Sequence, residues 1–347
     1  MNRRAFLNAG LILAGSTVIP GRVLAAGQAL PAEAQALLAA AARAPSSHNT
    51  QPWKIAIHEA RRWTLEPDAG RRLSAIDPEG RELWLSLGTL CAALGAAAAA
   101  RGLALAPCEE AAGRVALSFA PGPRAADAAL LRRRTLRQDF APRPGLTREW
   151  PTLSEGIPNL HYIPMASAAG GEIASATLKA NARQVELDPV WEELADWIRW
   201  RHEDAVANPT GLTPETLELP WLVRQWVGAL WSREDVLTRS FRVRGLDQVG
   251  QQIHQGEGWL VVTRDADSRR DWLRAGEALM RFWLRAVPAS LALHPMSQAL
   301  EFPDARRELE AHLGLGRIQI LARLGSRRYP DATPSPRLPP AAFTHLV

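Results

Sequence analysis

The sequence predicts a mixed α+β fold with a strongly helical complement. Two observations carry this prediction: short alternating apolar runs typical of strands are interspersed with long alanine- and leucine-rich helical stretches, and this order recurs on both sides of residue 125. Each half follows the order helix, loop, strand, long helix and strand. With 347 residues, 47% hydrophobic and 22% charged, the chain has the composition of a globular protein with a sizeable core.

The first half, residues 29–124, contains a helix, a polar loop, a hairpin, a second helix and a strand. The second helix has so few polar positions that we expect it to be buried nearly all round. The predicted elements are a helix over 31–43, a loop over 45–52, strands over 53–58 and 62–66, a helix over 79–101 and a strand over 114–119.

The second half, residues 125–347, adds a Trp- and Arg-rich helical insert, residues 186–245. Ser268 is the predicted N-cap of an amphipathic helix, and the proline-rich tail, residues 330–340, cannot join a sheet interior. The other predicted elements are helices over 126–134, 173–184, 268–286 and 302–313, and strands over 160–163, 258–263, 289–293 and 317–324.

The first 25 residues have the features of an export signal. Arg3 and Arg4 precede a short apolar run, and Val23-Leu24-Ala25 supplies a cleavage position. The Arg-Arg-x-Phe-Leu pattern resembles a twin-arginine signal, so we expect recognition by the twin-arginine export machinery and a periplasmic or otherwise exported protein. The alternative is an uncleaved anchor, but the run is short and contains Asn8, Ser16 and Pro20. We therefore expect no stable membrane insertion after cleavage.

Several function classes find no support in the sequence. The 41 basic and 36 acidic residues give a net charge of +5, but three of the arginines lie in the signal and no lysine-rich run or zinc-finger spacing exists, so nucleic-acid binding is not predicted. The dinucleotide-binding, P-loop and Gly-x-Ser-x-Gly patterns are absent. The eight histidines show no i, i+4 pairing, so no metal site is predicted.

The two cysteines, Cys91 and Cys108, permit a disulfide in an oxidising compartment. Cys91 lies among Leu87, Leu90 and Leu94 at helical spacing, which favours a buried thiol. Whether the two cysteines pair stays open at this point.

Ala42 to Trp53 is the densest group of hydrogen-bonding side chains between two predicted elements. It reads Ala-Arg-Ala-Pro-Ser-Ser-His-Asn-Thr-Gln-Pro-Trp, with a proline near each end. One interpretation is a turn that satisfies its own backbone. The other is a stiffened loop that contacts a flat polar ligand or a sugar alcohol.

The arginine run 132–137 is the second candidate binding motif. It has the sequence Arg-Arg-Arg-Thr-Leu-Arg. It could be a solvated helix end, where cations meet the macrodipole favourably. It could instead bind phosphate, because guanidinium groups suit phosphate oxygens and Arg133 and Arg137 share a face if the turn stays helical.

Both motifs resemble those of the nitroreductase family. The Ala-Pro-Ser-Ser-His-Asn-Thr-Gln-Pro-Trp stretch resembles the family's flavin-contacting loop, and Arg-Arg-Thr-Leu-Arg-Gln-Asp-Phe resembles its phosphate-binding motif. The chain is similar to the Acg-type subfamily, in which two nitroreductase-like halves are fused into a pseudo-dimer. The similarity extends over nearly all of residues 30–340.

The resemblance implies FMN as cofactor and assigns its ligands. The residues expected at the phosphate are Arg133, Arg134, Thr135, Arg137 and Arg337. Those expected along the ribityl chain and ring are Pro45, Ser46, Ser47, Asn49 and Gln51. Residues 289–293 correspond to the family's backbone contacts near the reactive flavin nitrogen, although the glycine expected there is absent and Ser290 stands nearby.

The order of the motifs predicts one flavin per chain. The first half has the loop without an arginine motif before it, and the second half has the arginines without a loop after them. One pairing is therefore available, at the interface between halves, in a monomer that is its own pseudo-dimer.

The tryptophans of the insert are explained either by core packing or by a lid over the flavin. The predicted function is an FMN-dependent, nitroreductase-like oxidoreductase that transfers hydride to a small-molecule acceptor, with no acid or base side chain required. The alternatives are a flavin-sequestering protein, whose lid excludes substrates, and a cofactor-free relic.

Overall fold

The computed structural model describes residues 30–137, 139–327 and 333–347 as a mixed α+β protein. The signal predicted for residues 1–25 lies outside them. The helices are α1 Ala32–Ala41, α2 Arg81–Ala99, α3 Ala128–Arg132, α4 Leu146–Ser154, α5 Ala168–Val185, α6 Asp188–Asp196, α7 His202–Ala207, α8 Trp221–Leu230, α9 Arg233–Leu237, α10 Arg239–Gln252, α11 Arg269–Ala286 and α12 Pro303–Leu313. The strands are β1 Trp53–Glu59, β2 Arg62–Pro67, β3 Leu103–Leu105, β4 Glu109–Ala111, β5 Arg114–Pro121, β6 Phe140–Ala141, β7 Leu160–Pro164, β8 Gly258–Arg264, β9 Leu291–Pro295, β10 Arg317–Arg327 and β11 Thr344–Leu346.

The strands form two sheets, one built mainly from the first half of the sequence and one from the second half. The first has the order β11-β1-β2-β5-β3, with β4 also paired to β5. The second has the order β6-β10-β8-β7, with β9 also paired to β10. β11, which the sequence analysis did not predict, runs parallel to β1, with Ile55 opposite Thr344. The end of the chain therefore completes the sheet of the first half.

Helix α2 passes through the middle of the molecule, as its apolar sequence predicts. Its N-terminus is tied down by the Asp77 carboxylate, which accepts a hydrogen bond from the Leu83 amide at 2.9 Å. Among the described residues it is the one helix whose length and hydropathy would allow it to cross a membrane, and most of it is buried inside the protein. A buried core helix has the same composition as a membrane span, so this property follows from its place in the core.

Helices α2 and α11 cross at two glycines that face each other's backbone. A Cβ atom on Gly88 would lie 2.0 Å from the carbonyl oxygen of Leu273, and one on Gly276 would lie 2.0 Å from that of Leu85. The contact is reciprocal, because in each helix the touched carbonyl belongs to the residue three positions before the glycine. α11 begins at the predicted N-cap: Ser268 and Asp271 form a capping box.

One continuous hydrophobic core draws on both halves. Trp53 and Leu90 of the first half and Leu260, Phe282 and Trp283 of the second are at most 1% exposed in it. The insert has a smaller core of its own, in which the rings of Trp200 and Trp231 meet edge to face at 5.2 Å.

The segment after α3 departs from the expected helix. The helix predicted over 126–134 ends at Arg132, and Arg133 has φ −59° and ψ 131°, outside the helical region. The condition for Arg133 and Arg137 to share a helical face is therefore not met, and their side chains point to different parts of the structure.

Candidate functional site

The loop between α1 and β1 has an unusual backbone. His48, Asn49 and Gln51 have φ values of 47°, 55° and 51°, which side chains other than glycine rarely adopt. The Gln51 amide donates to the Ser46 hydroxyl at 2.9 Å, and the Thr89 hydroxyl of α2 donates to the Pro45 carbonyl at 2.6 Å. Three residues with positive φ within four positions, held in place by such hydrogen bonds, are typical of a functional loop.

The amide side chains of the loop join it to the insert and to the C-terminal tail. Asn49 Nδ2 donates to the carbonyls of Gly211 and Pro336 at 3.0 and 3.1 Å. Gln51 Nε2 donates to the Pro209 carbonyl at 2.9 Å, and its Oε1 accepts from the Leu338 amide at 2.9 Å. Both amide side chains are thus engaged with protein backbone, and they fix three distant segments at one point.

Four arginines from three segments gather beside this loop, and we call them the arginine cluster: Arg43, Arg133, Arg134 and Arg337. Arg133 stacks on the Trp283 ring, with Cζ 4.6 Å from the ring centroid. Its Nη2 donates to the Arg43 carbonyl at 2.8 Å, and Arg337 Nη1 donates to Asn49 Oδ1 at 2.6 Å.

The cluster is electrostatically costly as it stands. Burial, followed by the charges of Arg337, Arg134 and Arg43, lowers the pKa of Arg133 well below its ordinary value. Burial and then Arg43 and Arg134 lower the pKa of Arg337 to about 9. Among the described residues, Arg133 Nη1 and Arg337 Nε are buried donors without a hydrogen-bond acceptor. A phosphate dianion would supply both the acceptors and the charge that the cluster needs.

Arg137 and Thr135 of the same run lie apart from the cluster. Arg137 Nη1 donates to the Thr216 carbonyl of the insert at 2.6 Å. Thr135 and Arg137 line a cavity of about 270 Å³, the loop cavity, with Pro45, Ser46 and Ser47. The predicted phosphate residues therefore fall into two groups: Arg133, Arg134 and Arg337 in the cluster, and Thr135 and Arg137 along the cavity.

The loop cavity continues into a second, more apolar one of about 440 Å³ beneath the insert, which we call the tryptophan cavity. Trp191, Trp200 and Trp231 line the second cavity. The polar residues common to both walls, which we call the junction, are His48, Arg137, His294, Gln298 and Glu301. Together the two cavities have the size of a site for a cofactor and a second small molecule.

Three titratable side chains of the junction, His48, His294 and Glu301, have pKa values shifted toward their neutral forms. Burial and then Arg137 lower the pKa of His48 to about 4. Burial, then Arg323 and Arg137, lower that of His294 well below its ordinary value. Burial, then the Glu82 charge, raises the pKa of Glu301 well above its ordinary value. Gln298 Oε1 and His48 Nδ1 are buried without a partner among the described residues, so the junction can accept further hydrogen bonds from a ligand.

Ser47 connects the loop to the carboxylate of Glu82. The Ser47 hydroxyl donates to Glu82 Oε2 at 2.7 Å, and Arg81 Nη2 donates to Glu82 Oε1 at 2.7 Å. Glu82 is thus an ion-paired carboxylate at the wall of the loop cavity. The sequence analysis identified the loop hydroxyl but not its acceptor, which lies 35 residues away in α2.

Other site residues were also missed, namely Arg43, Glu82, His294 and Glu301. Arg43 lies two residues before Pro45, where the helix gives way to the loop. That position could have indicated that its side chain lies near the loop. His294 and Glu301 reach the site only through the packing of β9 and the turn after it, which no local pattern reveals.

Both cysteines are buried free thiols, as favoured for Cys91. Their sulfur atoms and one Glu277 carboxylate oxygen lie within 4.8 Å of one another. Glu277 is ion-paired with Arg274 at 2.8 Å. This cluster lies at the crossing of α2 and α11, because Glu277 directly follows Gly276.

Comparison with known proteins gives distant relatives. No protein-family model matches the chain. The chain is 27% identical to a protein of Mycobacterium tuberculosis H37Rv that carries the name "Putative NAD(P)H nitroreductase", over 352 aligned positions that cover 90% of each chain. The counterpart in strain CDC 1551, with the same name, gives the same identity and coverage. The similarity of nearly the whole chain to these proteins supports a relationship to nitroreductases.

Proposed function

We propose that this protein is an FMN-binding, nitroreductase-like oxidoreductase with one flavin site per chain. The observation that carries the proposal is the arginine cluster beside the strained loop, with buried donors that lack acceptors among the described residues. A ligand that joins a phosphate to a flat polar ring system matches this arrangement, because the cluster, the loop and the cavity follow one another in space.

The residues present fit FMN. Arg133, Arg134 and Arg337 would hold the phosphate, and Arg43 adds a fourth cation. Pro45, Ser46, Ser47 and Thr135 face the loop cavity, where the ribityl chain and the ring would lie. Bound FMN supplies hydride chemistry, while the protein supplies orientation and electrostatics. Within the protein, Asn49 and Gln51 support the site by fixing the loop to residues 209–211 and 336–338.

The names of the mycobacterial relatives suggest a redox reaction. The mycobacterial proteins are named as NAD(P)H nitroreductases, and the resemblance of the loop and the arginine run to nitroreductase motifs implies a flavin cofactor. For this chain we propose the same general reaction, reduction of a small acceptor through a flavin.

The single site follows from a pseudo-dimer of two fused halves, 29–124 and 125–347, in an otherwise monomeric protein. The reciprocal glycine contact between α2 and α11 supports the pseudo-dimer, because an exchange of equivalent contacts is what a two-fold axis produces. The pairing of β11 with β1 adds support, since it brings the tail with Arg337 to the loop of the other half.

The insert is proposed as a lid on the site. The Gly211 amide donates to the Asn49 carbonyl at 3.1 Å, and the Asn49 and Gln51 side chains donate back to carbonyls of 209–211. The insert also closes the tryptophan cavity over the junction. Removal of residues 190–240 should therefore speed reduction of bound FMN by dithionite, and unchanged reduction kinetics would argue against a lid.

The same closure favours a second function, flavin sequestration without turnover. Hydrogen bonds run from the loop to the insert and from the insert back to the loop, so the insert could keep substrates out. Reduced nicotinamide with a nitroaromatic or quinone acceptor separates the two functions. An oxidoreductase turns over, whereas a sequestering protein stays yellow and consumes no nicotinamide. We also propose export through the twin-arginine pathway, which protease protection of the full chain in cell fractions would test.

Flavin stoichiometry tests the main proposal. Protein refolded or expressed with excess FMN and then desalted should carry one FMN per chain by absorbance and by mass spectrometry under native conditions. Two flavins per chain would contradict the single site, and a colourless protein that binds none would contradict the FMN proposal itself.

A further inference from the structure

Glu301 occupies a position that the proposed flavin chemistry leaves unexplained. It ends the short turn Gln298–Glu301 between β9 and α12, and it lines both the loop cavity and the tryptophan cavity. Gln184 Nε2 of α5 donates to its Oε2. That bond leaves the second carboxyl oxygen to carry a proton.

Glu301 and the neighbouring Glu82 have different hydrogen-bond partners. Glu82 accepts hydrogen bonds from Arg81 and from Ser47, each at 2.7 Å. Glu301 has no ion pair among the described residues, and the charges of Glu82 and then Asp77 act against its ionisation.

The remaining charged and titratable groups around Glu301 do not reverse this state. Arg81 favours ionisation, but burial and Glu82 outweigh it. His48 and His294, which face the same junction, are kept neutral by burial and by the nearby arginines. Arg137, also at the junction, donates to the Thr216 carbonyl and lies beside Glu218.

We propose that Glu301 is the proton donor of this site, a neutral carboxylic acid at the junction that protonates the acceptor molecule as it is reduced. The proposal rests on the proposed flavin function. An acceptor that takes up a hydride gains two electrons and one proton and becomes an anion. The Glu301 O–H bond then breaks, its proton forms an O–H or N–H bond on the acceptor, and the carboxylate takes a proton from water to close the cycle.

The geometry favours an acceptor in the tryptophan cavity. Glu301 and Gln298 belong to both cavity walls, so they would be within reach of a ligand in either cavity. Three tryptophans line the second cavity, and a carboxylic acid at its wall could give its proton to an acceptor bound there.

The first test reads the protonation state directly, without turnover. Infrared difference spectra between the wild type and Glu301→Gln, recorded with and without FMN, should contain the carbonyl band of a protonated carboxylic acid at pH 7. The matched control is Glu308→Gln in α12, an exposed glutamate seven residues away, and its difference spectrum should lack that band. A carboxylate band alone at pH 7 for Glu301 would overturn the proposal.

The second test separates the two half-reactions of the FMN-loaded protein. Glu301→Gln should slow reoxidation by p-benzoquinone about 100-fold, a typical loss for removal of a general acid, and should leave the rate of reduction by dithionite unchanged. Reoxidation at the wild-type rate would overturn the proton-donor role even where the infrared band is present. Absence of FMN binding by the wild type would instead overturn the proposed function, and with it this role, while the infrared result would still report the state of Glu301.

Discussion

The arginine cluster and the junction are both partly buried groups of titratable side chains, yet their charges differ. The cluster keeps four cations together, and burial, followed by their mutual repulsion, lowers the pKa values of Arg133 and Arg337. The junction instead reduces its charge, because His48, His294 and Glu301 take their neutral forms.

The difference follows from side-chain chemistry. A guanidinium group stays protonated at neutral pH even when burial lowers its pKa to about 9, as for Arg337, so a buried arginine cluster keeps its positive charge until an anion arrives. Imidazole and carboxyl groups have ordinary pKa values within a few units of neutral pH. A moderate shift of the pKa is therefore enough to make them neutral. The arginine cluster therefore retains positive charge that an anion would neutralise, whereas His48, His294 and Glu301 have pKa values shifted toward their neutral forms.

Removal of one arginine of the cluster should weaken FMN binding, and this is the largest effect that we expect. Arg133→Gln and Arg337→Gln should each raise the Kd for FMN by about 100-fold, since a hydrogen bond to a charged group contributes up to about 3 kcal/mol. Fluorescence titration of FMN measures this change. Riboflavin, which lacks the phosphate, should lose affinity by less than about threefold.

The control for these variants is Arg132→Gln, because Arg132 belongs to the same run but its side chain is exposed. Its Kd for FMN should stay within about twofold of the wild type. Equal losses for FMN and riboflavin in Arg133→Gln would contradict a phosphate site and indicate a general collapse of the loop.

The sequence predicted the separate parts of the site better than their arrangement. The loop and the arginine run were recognisable because each is a local pattern, and the predicted α+β class is observed. The helical continuation to Arg134 was wrong, because the chain leaves the helical region at Arg133, where the guanidinium stacks on Trp283 and binds the Arg43 carbonyl. That partnership spans 150 residues on one side and 90 on the other, so local propensity could not reveal it.

The junction was missed for a related reason. Glu301 and His294 gain their importance from burial next to the loop, and a lone glutamate or histidine in a sequence gives no sign of that. The strand β11 was missed because its three residues have too little periodicity to be recognised, although it fixes the tail that carries Arg337.

A lower pH should reduce the stability that the neutral His48 of the junction contributes, and this effect is of intermediate size. His48 has a folded pKa of about 4 against an ordinary value of 6.5, so the unfolded chain binds the proton first as the pH falls. Stability from this group is present above pH 6.5 and is lost as the pH falls toward 4. Between pH 7 and pH 5 we expect a loss of about 2 kcal/mol in the free energy of unfolding.

Urea unfolding of the wild type and His48→Asn at the two pH values isolates this contribution. Asparagine tolerates the positive φ of this position and does not titrate there. The variant should lose about 2 kcal/mol less than the wild type between pH 7 and pH 5. Exposed His202 provides the control, and His202→Asn should match the wild type at both values. Parallel losses in the wild type and His48→Asn would show that His48 is not held neutral.

Addition of a carboxylate to the arginine cluster should also weaken FMN binding, and this is the smallest effect that we expect. Asn49 Oδ1 already accepts from Arg337 at 2.6 Å, so Asn49→Asp places a carboxylate on that guanidinium. The internal anion then competes with phosphate, and the Kd for FMN should rise about tenfold, or about 1.4 kcal/mol, while riboflavin binding changes less. Asn49→Gly is the matched control, because it fits the φ of 55° and removes the same side chain without adding charge. If the cluster is an anion site, Asn49→Asp must weaken FMN relative to riboflavin more than Asn49→Gly does, and an equal ratio in the two variants would mean that the charge of the cluster is not what binds the ligand.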